Sequence, residues 1–183
     1  MTQSINVVWF KRDLRITDHA PLFQAAQVGN VLSLYIVEPE LWRQPDSGRR
    51  HWHFIHDSLV ELQASLAPIG APLTIRIGEA IDVLQQLLYE LDSFTLWSHE
   101  ESGNGWTYQR DISVAAWCQA HGVGWHEFPT NGVVRRLKSR DGWAKQREAR
   151  MRSPIIHSPH QMNGKKVISS HESYISHQCR IFL

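Results

Sequence analysis

Cysteine and long apolar runs are scarce in this sequence, and each scarcity excludes a class of protein. The 183 residues contain two cysteines, Cys118 and Cys179, in no paired-ligand pattern. That spacing predicts neither a disulfide framework nor a zinc site, and it favours a reducing, cytoplasmic setting. No apolar run approaches the roughly 18 residues of a membrane span, and the N-terminus lacks the pattern of a secretion signal. We therefore expect no membrane segment.

Glycine is missing where nucleotide-binding proteins need it. No glycine occurs between Ile5 and Val28, and neither a G-x-G-x-x-G pattern nor a P-loop pattern follows the first apolar run. Both motifs depend on glycine because main-chain N–H groups must approach a phosphate closely. We therefore predict that side chains, and not main-chain amides, hold any ligand of this chain.

Short apolar runs alternate with longer amphipathic runs, as in the β-α-β units of a parallel sheet. The predicted strands are Ile5–Phe10, Val31–Val37, Leu73–Ile77, Phe94–Trp97 and Val123–Phe128. Right-handed crossovers then favour a Rossmann-like α/β fold, an open doubly wound sheet of five parallel strands in the order 3-2-1-4-5 with flanking helices. Hydrophobic residues make up 42% of the chain and the net charge is +1, which predicts one soluble domain.

Amphipathic segments supply the predicted helices between the strands. Asp18 is predicted to cap the first helix, and Gly122 to end the last one. Cys118 lies in that last helix and is predicted to be core or subsurface. The clearest helical period alternates spacings of three and four residues between apolar positions, which are Trp52, Ile55, Leu59, Leu62 and Leu66.

Charged residues gather at the carboxyl ends of the predicted central strands. Lys11 to Arg15 follow the first strand, Glu38 follows the second, and His99 to Glu101 follow the fourth. In doubly wound sheets, ligands bind in the crevice beyond these ends. We therefore predict that the charges line a ligand crevice or a domain contact. The alternative for Arg12, Asp13 and Arg15 is a structural network, in which the Asp13 carboxylate pairs with one of the arginines or the arginines cap carbonyl groups of the loop.

No segment carries a convincing catalytic or metal-binding pattern. His51, His53 and His56 are close in sequence, but only His53 and His56 share a helix face, and a solvated face explains them better than a metal site. The vicinal Glu100 and Glu101 would act as acid and base only if their environments separated their pKa values. We therefore predict no catalytic residue and no metal ligand.

The regular pattern ends after Phe128. Residues 135–152 contain eight lysines and arginines against Asp141 and Glu148, a local excess of +6. This basic segment predicts either a solvated linker helix or a contact with nucleic-acid phosphates, with Trp143 available to stack on a base. We expect an α/β domain at 1–130, a basic linker at 131–153 and an irregular or truncated tail at 154–183.

The segment VVWFKRDLRITDHAPLFQAA resembles the opening of the photolyase/cryptochrome family, which commonly has W-F-R-R-D-L-R after an apolar strand, followed by D-N-x-A-L. Lys11 replaces the first arginine of that run, and His19 stands where asparagine is usual. The similarity continues through RRHWHFIHDSLVELQASLAPIGAPLTIRIGE and ESGNGWTYQRDISVAAWC, where Arg110 and Asp111 match a recurrent R-D pair. The resemblance covers about residues 5–152.

This resemblance implies an N-terminal α/β domain that holds a light-harvesting antenna chromophore and docks on a larger helical domain carrying FAD. Family members repair pyrimidine dimers in DNA with light or act as blue-light receptors. Thr107 stands where folate-binding members usually have glutamate, which argues against a folate in the familiar pose. The antenna would be a deazaflavin, a flavin or a folate, and its predicted contacts are Arg12, Asp13, Glu38, Arg50, Glu100 and Glu101.

The helical FAD domain has no counterpart in this sequence. About thirty residues follow Pro154, and they do not resemble its beginning. The chain by itself is therefore expected to be inactive in repair, and DNA would be bound only by a full-length architecture. Residues 158–183 are interpreted as a truncated or frameshifted end.

Two other interpretations stay open at this point. One is a nucleotide-binding module of the same topology, similar to universal stress proteins, which the missing phosphate loop disfavours. The other is a non-catalytic interaction domain whose exposed docking surface would cause self-association.

Overall fold

The computed structural model describes residues 5–130, 132–135 and 139–164. At least one helix lies between each pair of consecutive strands, as a parallel sheet requires. The elements in chain order are β1 Ile5–Phe10, α1 Ala20–Val28, β2 Val31–Val37, α2 Pro39–Trp42, α3 Arg49–Leu66, β3 Leu73–Ile77, α4 Ala80–Leu91, β4 Phe94–His99, α5 Gly105–His121, β5 Gly124–Phe128 and α6 Trp143–Met151.

The strands form one five-stranded parallel sheet in the order β3-β2-β1-β4-β5, which confirms the predicted fold class and strand order. β1 lies at the centre, where Val8 is paired with Ser33 of β2 and with Trp97 of β4. Every residue of β1 and β2 is buried. Burial on both faces explains why these two strands are continuous apolar runs in the sequence.

Side chains of β1 alternate between two hydrophobic clusters, one on each face of the sheet. Ile5, Val7 and Trp9 belong to the cluster that includes residues of α4 and α5. Val8 and Phe10 belong to the cluster that includes residues of α1 and α3. Helices therefore cover both faces, and the carboxyl edge of the sheet carries the charged residues.

The first helix is capped by a different residue from the one the sequence indicates. Asp18, the predicted N-cap, has a left-handed backbone with φ of 54°, and His19 is the cap instead. The His19 Nδ1 atom accepts a hydrogen bond of 3.1 Å from the main-chain N–H of Leu22. Asp18 is engaged elsewhere, because its N–H donates to the Ile156 carbonyl and its carboxylate accepts from the Ile156 N–H, at 2.7 and 3.3 Å.

The other element ends agree with the sequence more closely. Gly122 ends α5 with a left-handed φ of 67°, and its N–H donates to the Cys118 carbonyl, as predicted. Cys118 is buried, which is also as predicted. A short helix, α2, begins at Pro39, in a stretch for which the sequence predicts no helix or strand. β4 runs to His99, two residues beyond the predicted end, because pairing with β5 continues to that point.

The first part of the predicted tail packs on the α/β domain. The Met162 N–H donates to the Ile69 carbonyl at 2.7 Å, and the Val31 N–H donates to the Asn163 carbonyl at 2.9 Å. The Met162 side chain is 6% exposed and joins a core cluster. Gly70 makes this close approach possible, since a Cβ there would lie 2.5 Å from the Met162 carbonyl oxygen. Residues 165–183 of the predicted tail lie outside the described residues, and the division into three parts stays a prediction.

Within the described ranges, no helix has the length and apolar character that crossing a membrane requires.

We predict that Met162→Ala lowers the free energy of unfolding by about 2 to 4 kcal/mol, because it leaves a cavity in the core. Urea denaturation measures the change. Met151→Ala is the matched control, since Met151 on α6 is 59% exposed. Equal, small losses for the two variants would contradict the packing of this segment.

Candidate functional site

Two neighbouring cavities open at the carboxyl edge of the sheet, and they share Lys11, Arg12 and Glu101. The larger cavity has a volume of about 500 Å³, and the smaller one about 270 Å³. The larger cavity is lined by Trp9, Phe10, Lys11, Arg12, Tyr35, Ile36, Glu38, Leu41, Trp42, Asp46, Ser47, His51, Phe54, Ile55, Glu101 and Arg110. The smaller cavity is lined by Lys11, Arg12, Asp13, Arg15, His99, Glu100, Glu101, Ser102 and Thr130.

Most of the residues predicted from the sequence reach these cavities. Arg12 and Glu101 line both, Glu38 lines the larger one, and Asp13 and Glu100 line the smaller one. Arg50 is exposed on α3 and lines neither cavity. Its neighbour His51, which the sequence placed on a solvated helix face, lines the larger cavity instead.

The Arg110 guanidinium is the centre of a buried ion network. Its Nη1 atom lies 2.6 Å from Glu38 Oε2, and its Nη2 atom lies 2.5 Å from Glu101 Oε2 and 2.9 Å from Asp111 Oδ1. These four side chains are at most 7% exposed. A guanidinium has five N–H donors in one plane, so it can bridge several carboxylates at once. Arg110 thereby ties α5 to the ends of β2 and β4.

Asp111 extends the network to two more cations. Lys11 Nζ lies 3.2 Å from Asp111 Oδ2, and Arg135 Nη2 lies 2.8 Å from the same oxygen. Burial alone would raise the pKa of Asp111, but Lys11 and Arg110 hold it below its ordinary value. Arg135 also lies 3.1 Å from Glu127 of β5. The segment that follows the sheet is thereby fastened to the network.

Tryptophan rings enclose the two buried cations. Lys11 Nζ lies 4.7 Å from the Trp9 ring centre and 5.4 Å from that of Trp125. The Arg110 guanidinium carbon lies 4.8 Å from Trp9 and 5.8 Å from Trp106. Desolvated cation–π contacts contribute about 2 kcal/mol or more each. They help to explain how the apolar end of β1 accommodates charge.

Asp13 is paired with two histidines and not with an arginine. Its Oδ2 atom lies 2.8 Å from His19 Nε2 and 2.5 Å from His99 Nδ1, and its Oδ1 atom accepts a 2.8 Å hydrogen bond from the Lys11 main-chain N–H. Burial alone would raise the pKa of Asp13, but the hydrogen bonds with both histidines hold it well below its usual range. The geometry therefore favours the structural role for Asp13, with histidines in place of the predicted arginine.

Asp13, His19 and His99 could by composition hold a metal ion, since their ligand atoms lie within 4.8 Å of one another. The hydrogen bond at His19 argues against this. Its Nδ1 atom accepts the Leu22 N–H, so the ring proton lies on Nε2, the atom that faces Asp13. A metal-bound Nε2 would require the proton on Nδ1, where it would oppose the Leu22 N–H. The three side chains therefore form a hydrogen-bond network.

Glu38 has one carboxylate oxygen without a hydrogen-bond partner among the described residues. Its side chain is 3% exposed and its Oε2 atom contacts Arg110, but the buried Oε1 atom accepts no hydrogen bond there. Burial raises the pKa of Glu38 to about 7, against the opposing effect of Arg110. A buried acceptor left unsatisfied costs about 1 to 3 kcal/mol, and more when it is charged. An N–H donor on a ligand in the larger cavity would satisfy it.

Aromatic side chains form much of the remaining wall of the larger cavity. Trp42 of α2 packs edge-on against Trp52 of α3, with ring centres 5.0 Å apart. The Trp42 Nε1 atom is buried and has no hydrogen-bond partner among the described residues. Phe54 lines the cavity from α3 although it is 71% exposed. The cavity thus offers flat apolar surface to a ligand. Two of its lining residues also carry polar atoms without a partner among the described residues, the acceptor Glu38 Oε1 and the donor Trp42 Nε1.

Sequence reasoning missed the role of Arg110 and of Trp42. A signal for the first was present, because Thr107 and Asp111 continue the inward stripe of Val114 and Cys118 along α5, so the start of that helix buries polar groups. Arg110 lies beside that stripe. Trp42 carried no comparable signal, since α2 has only four residues and none of them is buried.

The fold and the cavities define a class of protein, a doubly wound α/β domain with two cavities at the carboxyl edge of its sheet, where its topological switch point lies. The DNA photolyase family model matches residues 6–151, and the chain belongs to this family. The resemblance inferred from the sequence motifs is therefore confirmed.

Among curated relatives, a deoxyribodipyrimidine photo-lyase of Agrobacterium fabrum is 33% identical over 101 residues, which are 54% of this chain and 20% of that protein. Cryptochrome DASH of Arabidopsis thaliana is 27% identical over 107 residues, which are 55% of this chain and 19% of that protein. The matches thus span about a fifth of these relatives.

Solved structures share the fold. A bacterial class III photolyase from Agrobacterium tumefaciens superposes with a TM-score of 0.74 at 22% identity, over 92% of this chain and 37% of that one. An archaeal photolyase from Sulfolobus tokodaii, described with two FAD molecules and a novel light-harvesting cofactor, gives a TM-score of 0.71 at 19% identity, over 88% and 38% of the two chains.

We predict that Arg110→Gln lowers the free energy of unfolding by about 3 to 5 kcal/mol, because it leaves Glu38, Glu101 and Asp111 buried without their shared cation. Chemical denaturation at neutral pH measures the loss. Arg43→Gln is the control, since the exposed Arg43 pairs with Glu40 on the surface and the loss of this pair costs about 0.5 kcal/mol or less. A similar cost for both variants would show that the network is not stabilising.

We also predict that His19 makes the protein less stable in mild acid. Burial lowers the pKa of His19, against the effect of Asp13, so the unfolded chain takes up a proton at the ordinary value of 6.5 while the folded protein resists it. The free energy of unfolding attributable to His19 is therefore present above that pH and falls as the pH drops below it.

His19→Asn tests this, because asparagine also caps helices and does not titrate. Denaturation curves at about pH 7 and about pH 5 should show a larger acid-induced loss for the natural protein than for the variant. Glu38 has a raised pKa, so its contribution to the free energy of unfolding changes in the opposite direction as the pH falls. Because Glu38 is present in both proteins, its contribution cancels in the comparison. Equal losses would mean that His19 is not held neutral.

Proposed function

We propose that the larger cavity binds a planar, conjugated chromophore that donates an N–H hydrogen bond to Glu38. Deazaflavins and flavins carry such an N–H on their pyrimidine-dione ring, between two carbonyl groups. The volume of about 500 Å³ is within the range of ordinary small-molecule sites. The tryptophans and phenylalanines of the wall offer flat apolar surface to such a ring system.

The unpaired Glu38 oxygen is the observation that carries this proposal. Glu38, Asp46 and Glu101 supply the carboxylates of the larger cavity, and five of their six oxygens have a partner within the part of the chain that the structure describes. Glu38 Oε1 is the exception, and it is buried. Because unsatisfied buried polar atoms are rare in folded proteins, this oxygen points to a missing donor.

The contact residues in this proposal differ from those expected from the sequence. Glu38, Arg12 and Glu101 remain as contacts, whereas Arg50 is not among them. A folate receives no support from Thr107, which is 1% exposed, lines neither cavity and hydrogen-bonds to Asn104. A deazaflavin or a flavin is therefore the preferred antenna.

The activity of the whole protein follows from its family as a further part of this proposal. Relatives are named as photo-lyases and cryptochromes, and one solved relative is described with a light-harvesting cofactor. We infer that the chromophore bound here acts as an antenna for an FAD-dependent, light-driven step in DNA repair or in blue-light sensing. That step needs the helical FAD domain of the longer relatives.

A nucleotide-binding module is less well supported. The cations at the carboxyl edge are engaged by carboxylates, as Lys11 is by Asp111 and Arg12 is by Glu101, so they are not poised to receive phosphates. Self-association through an exposed docking surface stays a prediction, and measuring the molecular mass over a range of concentrations would test it.

Lumiflavin and 3-methyllumiflavin test the proposed hydrogen bond, because they differ only at the N–H that Glu38 would accept. We expect 3-methylation to weaken binding about tenfold or more, as loss of a charge-assisted hydrogen bond costs about 1.5 to 3 kcal/mol. Lumiflavin itself should bind about tenfold more weakly at pH 6 than at pH 8, because the proton taken up near pH 7 occupies the acceptor oxygen.

Glu38→Gln should weaken lumiflavin binding and remove both the pH dependence and the discrimination against the methylated analogue. Its amide would keep an oxygen on Arg110 and turn an NH₂ towards the cavity. Glu40→Gln is the matched control, since Glu40 lies on the exposed side of α2 and does not line the cavity. Failure of every flavin to bind, in titrations followed by absorbance and fluorescence, would refute the proposed function.

A further inference from the structure

β5 lies at one end of the sheet, and its outer edge is open in the part of the chain that the structure describes. The strand order places β4 on one side of β5 and no described strand on the other. Within the described ranges, no hydrogen bond reaches the outward main-chain groups of Gly124–Phe128. An open edge of this kind presents a row of N–H and C=O groups with which another extended chain can pair.

β5 has little of the charge that usually keeps open edges apart. Proteins commonly protect an edge strand with charged side chains, above all lysine, or with proline. The sequence of β5 is GWHEF, and its one charged residue at neutral pH is Glu127, which lies 3.1 Å from Arg135. The charge of Glu127 is therefore balanced within its own chain, and it does not repel a second strand.

The two helices that contact β5 are also poor in charge. Both α1 and α5 contact this strand. α1 contains no charged residue over Ala20–Val28, and α5 contains none over Ile112–Ala120. The exposed residues of that part of α5 include Ile112, Ala115 and Ala116. Because 20% of all residues in the chain are charged, this side of the domain is depleted in charge.

A second copy of this chain suits such an edge, because in a two-fold dimer each surface meets itself. A charged surface would repel its own copy, whereas an uncharged surface does not. Antiparallel pairing of two β5 strands about the middle residue, His126, pairs all five residues. His126 then lies opposite His126 of the second copy, Trp125 opposite Glu127, and Gly124 opposite Phe128. No pair in this register joins two like charges.

His126 has the surroundings that the centre of this pairing needs. It is exposed, and its ring stacks on Trp97 of β4, with ring centres 4.3 Å apart and ring planes at 28°. Pairing about His126 would extend this stack across the two-fold axis to the same two residues of the second copy. Cross-strand aromatic pairs of this kind stabilise sheets.

We propose that two copies of this chain form a symmetric dimer through antiparallel pairing of their β5 strands, so that the two sheets join into one sheet of ten strands. A stable interface buries about 1,200 Å² or more in total, so the uncharged sides of α1 and α5 must pack beside the paired strands. No residue of β5 lines either cavity, so this inference does not rest on the proposed function.

The molecular mass of the full chain, measured by light scattering over a wide range of concentrations, tests the dimer. We expect the mass to rise to twice the 21.1 kDa of one chain. His126→Lys and His126→Glu each place two like charges opposite each other across the two-fold axis. Each variant alone should therefore raise the dissociation constant about tenfold or more, since like charges brought together at an interface are strongly unfavourable.

An equimolar mixture of these two variants is the sharpest test. Lysine would then face glutamate, so the mixture should form a heterodimer although each variant alone is largely monomeric. Only an interface in which residue 126 faces its own copy predicts this restoration. His126→Gln is the matched control, because it is uncharged, and it should dimerise like the natural protein.

Ile112→Lys tests the contribution of α5, where Ile112 is 40% exposed. It should weaken the dimer several-fold, because it brings charge into an uncharged surface that meets its own copy. Val60→Lys is the control, since Val60 is 53% exposed on α3, away from β5, and it should leave the mass unchanged. Circular dichroism checks that each variant is folded.

Three results would overturn the inference. The first is the mass of a single chain at every concentration. The second is a dimer that neither charged variant at position 126 weakens, which would place the interface elsewhere. The third is a mixture of the two charged variants that stays monomeric. Flavin binding is measured separately, so none of these results decides the proposed function.

Discussion

Arg110 holds three acidic side chains together where water is excluded. Each carboxylate comes from a different part of the chain, since Glu38 follows β2, Glu101 follows β4 and Asp111 lies in α5. Without the guanidinium, these carboxylates would be buried without their shared cation, which is strongly destabilising. The same contacts determine what the larger cavity offers a ligand, because they engage carboxylate oxygens that would otherwise face it.

The strands and their order could be predicted because buried parallel strands are continuous apolar runs and crossovers have one hand. The local sequence pattern gave wrong predictions where a residue distant in the chain determines the contact. Asp18 looks like an N-cap, yet Ile156, 138 positions away, engages its carboxylate, and His19 takes over the cap. The family resemblance implied that Arg50 contacts the ligand, but the turn of α3 places its neighbour His51 in the lining of the larger cavity and leaves Arg50 outside it. The pairing of Asp13 with histidines likewise depends on tertiary contacts that the sequence does not display.

Residues beyond the sheet contribute to the α/β domain at two places. Met162 and Asn163 pack near the start of β2, and Arg135 reaches the ion network at the opposite edge of the sheet. The sequence suggests a linker and a tail of little structure, because neither segment shows a hydrophobic period. Their contacts are single side chains and main-chain hydrogen bonds, which leave no periodic trace.

The shared guanidinium also constrains how this site can diverge among related sequences. A single replacement at position 110 leaves three acidic side chains without their shared cation. A single replacement of one acidic residue changes the charge balance of the other members of the network. Single substitutions at these positions are therefore disfavoured. Descendants with a different ligand preference would arise through compensated, simultaneous exchanges, so positions 38, 101, 110 and 111 should covary as a unit across the lineage.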